Sequence, residues 1–183
     1  MFSARLKDRV PSARAVGVGC LKRHSLKWDK VSRKDGSGKC DAESTVSNAD
    51  TVWGVLFEVD RAEKPGLDRA EGLDHGYNEV EVSIETKNRE VSALMYQATS
   101  KNIALKPYHW YTEFVVEGAQ EHGLSRAYVG SLKSVISEAD PDQERANRER
   151  AFLRKNLASS GWLSRFGRVV FGDVKGDTDE TAR

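Results

Sequence analysis

The sequence of 183 residues is poor in cysteine, in proline and in long apolar runs. Its two cysteines, Cys20 and Cys40, are too few for a disulfide framework, and neither has the nearby His or Cys partners of a zinc site. No apolar run approaches the ~20 residues of a membrane-spanning helix, and the Arg-rich N-terminus has no secretory apolar core. These absences predict no membrane partner and a reducing compartment, for which the cytoplasm is the expected location.

The charge is ordinary in total but uneven along the chain. Charged residues make up 31% and the formal net charge is +1, yet residues 1–40 carry eleven Lys and Arg against three Asp. Such a basic stretch permits contact with nucleic acid, so a nucleic-acid-binding module is one alternative that the sequence leaves open. We expect instead a solvated basic surface on strands and loops, and we predict no nucleic-acid partner.

The first hundred residues have the patterns of β-strands. The segments with these patterns are 13–21, 26–41, 51–59, 78–86 and 90–98. The stretch 51–59 is almost entirely apolar, which predicts a strand buried on both faces. Residues 78–86 alternate between apolar and polar, and only three residues separate them from 90–98, so this pair predicts a hairpin.

After Pro107 the apolar spacing changes to that of helices. The pattern predicts one helix that ends near Gly123, a second that extends to Ile136, and a third that is capped by Asp140 and ends near Leu157. Strands that come first and helices that follow favour an α+β fold over a doubly wound sheet.

The residues from Leu67 to Tyr77 contain the pattern Glu-Gly-x-x-x-Gly-Tyr, with Glu71 as its first member. The sequence Val-Trp-Gly-Val lies upstream at residues 52–55. This combination resembles the γ-glutamylcyclotransferase, or AIG2-like, family. Further similarities follow the same order along the chain, at residues 9–13, 38–42 and 107–128, and the resemblance spans about residues 1–137.

The resemblance implies both a fold and an activity. The fold would be α+β, a small, strongly bent and mostly antiparallel sheet or barrel flanked by helices. The activity would be γ-glutamylcyclotransferase, in which the α-amine of a γ-glutamyl amino acid or γ-glutamyl amine attacks its own γ-carbonyl and 5-oxoproline is released. No metal or other cofactor is implied. We therefore divide the chain into a cyclotransferase-like domain (1–137), a helical extension (138–172) and a disordered tail (173–183).

The resemblance also assigns the site residues. Glu71 would be the catalytic acid/base, the hydroxyl of Tyr96 would bind the substrate, and Gly72 and Gly76 would shape the substrate-binding backbone. We expect Glu71 to end a short helix, where the helix dipole and the like charge of Asp68 act on its carboxyl. The alternative for Tyr96 is a core aromatic side chain with a polar tip.

The resemblance finally implies a segment before the first residue of this chain. Members of the family begin with a strand and a Tyr-Gly-Ser-Asn loop, whose backbone N–H groups hold the substrate and its developing oxyanion. Met1 stands just after the position of that Asn, so we expect an N-terminally truncated domain whose reading frame continues upstream. The alternative that stays open is a non-catalytic or truncated protein of this fold that at most binds a ligand.

Overall fold

The computed structural model describes residues 2–159, and the predictions for residues 161–171 and for the tail lie outside this range. The fold is α+β, as expected. In chain order the elements are α1 (Ser3–Lys7), β1 (Arg14–Lys22), β2 (His24–Val31), β3 (Gly38–Ser44), β4 (Thr51–Glu58), α2 (Lys64–Glu71), β5 (Tyr77–Glu85), β6 (Glu90–Ala98), α3 (His109–Glu121), α4 (Arg126–Lys133) and α5 (Gln143–Ser159).

The strands form two antiparallel sheets, one of four strands in the order β4-β1-β5-β6 and one of the two strands β2-β3. The predicted hairpin is confirmed, because β5 and β6 pair without a break from Tyr77 opposite Ala98 to Glu85 opposite Glu90. Strand β1 pairs with β4 along nearly its whole length but meets β5 only where Cys20 lies opposite Glu85. In the larger sheet, β1 and β5 are therefore joined by backbone pairing at one position only.

The prediction that the strand at 51–59 is buried on both faces was wrong. In β4 the side chain of Trp53 is 46% exposed, and no residue of the strand is fully buried. The cause is its place in the sheet. Since β4 pairs only with β1, it lies at the sheet edge, and Val52, Trp53, Gly54 and Val55 line an open cavity.

The helices pack around an aromatic core. Phe2, Trp110 and Phe114 bury their rings together with Ala146 and Leu153, so α3 and α5 share one apolar cluster with the residue that precedes α1. Helix α5 therefore packs against the helices of the predicted domain 1–137.

The second predicted helix is shorter than expected. Helix α4 ends at Lys133, and Ile136 is 74% exposed, so the prediction that the helix extends to Ile136 was wrong. The chain after α4 is extended because Glu138 exchanges backbone hydrogen bonds with the segment before α3, donating to Pro107 and accepting from His109.

The predicted cap of the third helix was also displaced. Asp142, not Asp140, accepts the capping hydrogen bond, from the backbone N–H of Arg145 at 2.9 Å. The buried carboxylate of Asp140 instead accepts from Trp110 Nε1 at 2.8 Å and from Arg145 Nε at 2.7 Å. Burial opposes ionisation, but these donors prevail and hold the pKa of Asp140 below its usual range. Its contribution to stability is present above the unfolded value of ~3.9 and is lost as the pH falls through the lower folded value.

We expect Asp140→Ala to lower the free energy of unfolding by about 3 kcal/mol, as measured by denaturant titration. This is the lower end of the values for a broken buried ion pair, because the remaining Arg145 is itself 22% exposed. The control is Glu138→Ala, two residues away, whose exposed side chain should change stability by less than ~0.5 kcal/mol. Equal midpoints for the two variants would contradict the role of Asp140.

Candidate active site

The position of Glu71 is set by the end of helix α2. The helix has Pro65 in its first turn, where the missing N–H costs nothing, and it stops at Gly72 with φ of 84°. The backbone N–H groups of Gly72 and Leu73 both donate to the carbonyl of Asp68 at 2.9 Å. Glu71 is thus the last helical residue, which confirms the predicted helix end.

A tight loop joins this helix end to strand β5. Gly76 has φ of 140°, and its carbonyl accepts a hydrogen bond from the N–H of Thr99 at 3.0 Å. The N–H of Asp74 donates to the carbonyl of Tyr77 at 2.9 Å, which closes the loop on itself. Gly72 and Gly76 therefore hold the backbone in conformations that other residues rarely adopt, and they bring Glu71 and Tyr77 to one wall.

Glu71 lines an open cavity of about 960 Å³. Its side chain is 18% exposed, and Oε1 accepts a hydrogen bond and ion pair from Arg9 Nη1 at 2.7 Å. Within residues 2–159 no hydrogen bond to Oε2 is found, so this oxygen is available to a ligand. Gly72 and His75 line the same cavity.

Part of the cavity wall is aromatic. Trp53 from β4 and Trp110 and Tyr111 from α3 contribute their rings, and the hydroxyl oxygen of Tyr111 accepts a hydrogen bond from the backbone N–H of Cys40 at 3.0 Å. Trp110 and Tyr111 meet edge to face with ring centroids 6.1 Å apart. Lys39 Nζ lies 4.7 Å from the ring centroid of Trp110 and 4.6 Å from that of Tyr111, so charged and aromatic side chains together line the cavity.

Tyr96 lies behind this wall rather than on it. Its hydroxyl donates to Asp68 Oδ1 at 2.5 Å, and its ring meets Tyr77 edge to face at 6.4 Å. Burial raises the pKa of the Tyr96 phenol, and the hydrogen bond to Asp68 raises it further, so the hydroxyl is a neutral donor. Neither Tyr96 nor Gly76 is among the residues that line the cavity.

The electrostatic surroundings of Glu71 differ from those expected. Asp68 is not a free like charge, because Lys64 Nζ contacts its Oδ1 at 2.5 Å and also pairs with Glu79. Burial works against ionisation of Asp68, but the hydrogen bonds from Lys64 and Tyr96 lower its pKa. The charge nearest to Glu71 is instead the cation of Arg9.

Sequence reasoning missed Arg9 and Lys30 as parts of the site. Both belong to the basic stretch of residues 1–40, which we expected to be a solvated surface, and for these two residues that expectation was wrong. Arg9 is 28% exposed in its ion pair, and Lys30 is half-buried with its ammonium 4.3 Å from the ring centroid of Tyr77. The excess of positive charge in residues 1–40 was the signal that could have indicated these two residues.

The part of the chain that the structure describes contains neither a metal-binding group nor a membrane-spanning helix. Among residues 2–159, no group of three or more His, Cys, Asp and Glu side chains is arranged to hold a metal ion. None of the helices in this range is long and apolar enough to cross a membrane. The carboxylate of Glu71 on the cavity wall can transfer protons, and the cations around it suit an anionic ligand.

Comparisons with known proteins agree with this fold. Residues 51–132 match the AIG2-like family. Over 139 residues the chain is 28% identical to the γ-glutamylcyclotransferases of Bos taurus and Homo sapiens, which covers 74% of this chain and 73% of each relative. A solved structure named gamma-glutamyl cyclotransferase is similar with a TM-score of 0.69 at 23% identity, covering 80% of this chain and 92% of that chain. A human protein described as uncharacterized has the same TM-score at 26% identity, covering 75% and 83% of the two chains.

The two antiparallel sheets and the flanking helices define a protein with the γ-glutamylcyclotransferase fold. The chain resembles the AIG2-like family over a range that contains β4, α2, the β5-β6 hairpin and α3. The family expected from the Glu-Gly-x-x-x-Gly-Tyr stretch is thereby confirmed.

Substitutions of two glycines, one within α2 and one at its cap, test the helix end. Their expected effects on the stability of the protein have opposite signs. Gly72→Ala should destabilise the protein by ~1 kcal/mol, because a Cβ there has space but the left-handed backbone is unfavourable for alanine. Gly66→Ala, inside the helix, should stabilise it by ~0.5–1 kcal/mol, since alanine is the better helix former. Thermal or denaturant unfolding measures both, and a stabilising Gly72→Ala would exclude the left-handed cap.

Proposed function

We propose that this protein is a cytoplasmic γ-glutamylcyclotransferase that releases 5-oxoproline from a γ-glutamyl amino acid or γ-glutamyl amine. The observation that carries the proposal is the placement of Glu71, a carboxylate 18% exposed on the wall of an open cavity with Oε2 available to a ligand. Relatives named γ-glutamylcyclotransferase support the same activity. The free cysteines Cys20 and Cys40 suit a reducing compartment.

The reaction needs one group that moves a proton twice. Glu71 accepts a proton from the substrate's α-ammonium, and the resulting amine attacks the γ-carbonyl carbon, so that a C–N bond forms and closes the five-membered ring. Glu71 then returns the proton to the leaving nitrogen as the original amide C–N bond breaks. The ring nitrogen loses its second proton to the released amine, so the products are 5-oxoproline and an ammonium, and the carboxylate is regenerated.

Ring closure within one molecule lowers much of the barrier, provided that the substrate is held in a bent conformer. A cavity wall of charged and aromatic side chains can hold it so, with the charged glutamyl part near Glu71 and Arg9. What remains is the movement of protons, off the ammonium and onto the leaving nitrogen.

We assign Tyr96 to substrate orientation rather than to proton transfer. Its raised pKa keeps the hydroxyl protonated at neutral pH, so it cannot serve as a base, and because its one proton is donated to Asp68 it acts on the substrate through Asp68 and the end of α2. The hydroxyl rests on Asp68, one helical turn before Glu71, and through this contact it also fixes the end of α2. Gly72 and Gly76 contribute the backbone on which the substrate-facing wall is built.

Replacement of the carboxylate tests the acid/base role. Glu71→Gln keeps an oxygen that can accept from Arg9 but cannot take a proton, so the release of 5-oxoproline should fall at least ~100-fold. The matched control is Asp74→Asn, three residues away, exposed and outside the cavity, at a positive φ that Asn tolerates. Its turnover should be near normal. Unchanged turnover in Glu71→Gln would remove the assignment and favour a non-catalytic protein that at most binds a ligand.

The role of the phenol is tested by Tyr96→Phe. Loss of one hydrogen bond should cost about 0.5–1.5 kcal/mol, and we expect it mainly as a raised KM with kcat little changed. Steady-state kinetics and denaturant unfolding are measured on the same preparation. If stability falls while both kinetic constants stay normal, Tyr96 serves only to hold Asp68 and the aromatic core.

A further inference from the structure

The cavity around Glu71 has a strong excess of positive charge. Nine Lys and Arg side chains line it, against four Asp and Glu. A concave site with one sign of charge attracts ligands of the opposite sign, so the occupant should be anionic.

Most of this charge is already neutralised or in water. Arg5, Arg9, Lys39 and Arg145 are each held in an ion pair, and the other arginines and Lys34 on the wall are exposed. Within residues 2–159, Lys30 is the one half-buried cation of this wall that makes no ion pair.

The ammonium of Lys30 lies close to the loop that follows Glu71. It is 4.3 Å from the ring centroid of Tyr77, and a Cβ on Gly76 would lie 3.6 Å from Lys30 Cε. Burial lowers the pKa of Lys30, and the negative charge of Glu71 only partly compensates. A cation withdrawn from water without a counter-ion is costly, and a carboxylate that binds beside it repays this cost.

A γ-glutamyl amino acid or peptide offers two carboxylates to such a site. The one on the glutamyl group is attached to the carbon that carries the α-amine, so it must stay near Glu71, where Arg9 is in direct contact. The one on the leaving group lies on the far side of the γ-carbonyl. Arg9 uses only Nη1 to pair with Glu71, so its other N–H groups remain for the glutamyl carboxylate, and Lys30, which makes no ion pair within residues 2–159, remains for the second carboxylate.

We propose that Lys30 binds the carboxylate of the leaving group, so that the enzyme prefers γ-glutamyl amino acids or peptides over γ-glutamyl amines. The proposal rests on the cyclotransferase function above and names its substrate class. It makes Lys30 a specificity-determining residue, since an uncharged leaving group leaves its ammonium without a partner.

The test compares γ-glutamyl-alanine with γ-glutamyl-alaninamide, which has the same shape but no carboxylate on its leaving group. The wild-type enzyme should favour the first by about 10-fold or more in kcat/KM, as expected for one charge-assisted hydrogen bond. Lys30→Met keeps the apolar stem and should bring this ratio close to one, while Lys30→Arg should restore part of it. Lys27→Met, on the same strand but outside the cavity, should keep the wild-type ratio.

The outcomes separate this inference from the proposed function. A wild-type ratio near one overturns the inference, and so does a Lys30→Met enzyme that loses the same factor on both substrates, because Lys30 would then bind the glutamyl carboxylate. If neither compound yields 5-oxoproline, the proposed function fails. Calorimetric binding of the same two compounds to the wild type and to Lys30→Met then tests the inference about Lys30 by itself. A preference that Lys30→Met abolishes supports the inference, and equal or absent binding overturns it.

Discussion

The loop of residues 72–76 is the constraint on which the rest of the site depends. It must end a helix, reverse the chain and start a strand within five residues, and it does so with positive φ at Gly72, Asp74 and Gly76. Its end fixes the register of the hairpin, because Tyr77 is the first paired residue of β5. Its start fixes Glu71. Because both ends are held by backbone hydrogen bonds, the carboxylate is positioned by the main chain rather than by side-chain packing.

Ion pairs between distant segments then complete the cavity. Arg5 reaches Glu149 on α5, and Arg9 reaches Glu71 on α2, so the short N-terminal segment ties two helices to the same wall. These pairs are partly buried, and their charges are therefore less screened than those of surface pairs. The same arrangement leaves Lys30 without an ion-pair partner among residues 2–159. For this reason we interpret it as a residue that binds a ligand.

Local patterns predicted the fold where the environment of an element is simple. The alternation in 78–86 predicted the hairpin because one face of β5 is polar and the other packs inward. The apolar run at 51–59 led to the wrong prediction of a strand buried on both faces, because its side chains line a cavity instead of packing against a second layer. Ile136 continued the helical spacing of α4, but the backbone pairing of Glu138 with the segment before α3 required an extended chain.

By itself the sequence determined the family and the order of elements, and it indicated Glu71 as the carboxylate at a helix end, because these follow from residue types at short spacing. Only the tertiary structure decided which charges meet. Arg9 contacts Glu71 across 62 positions and Tyr96 contacts Asp68 across 28, and no local periodicity encodes such distances. The lack of a counter-ion at Lys30 is likewise a property of the packed chain, since ion pairing depends on where other segments place their charges.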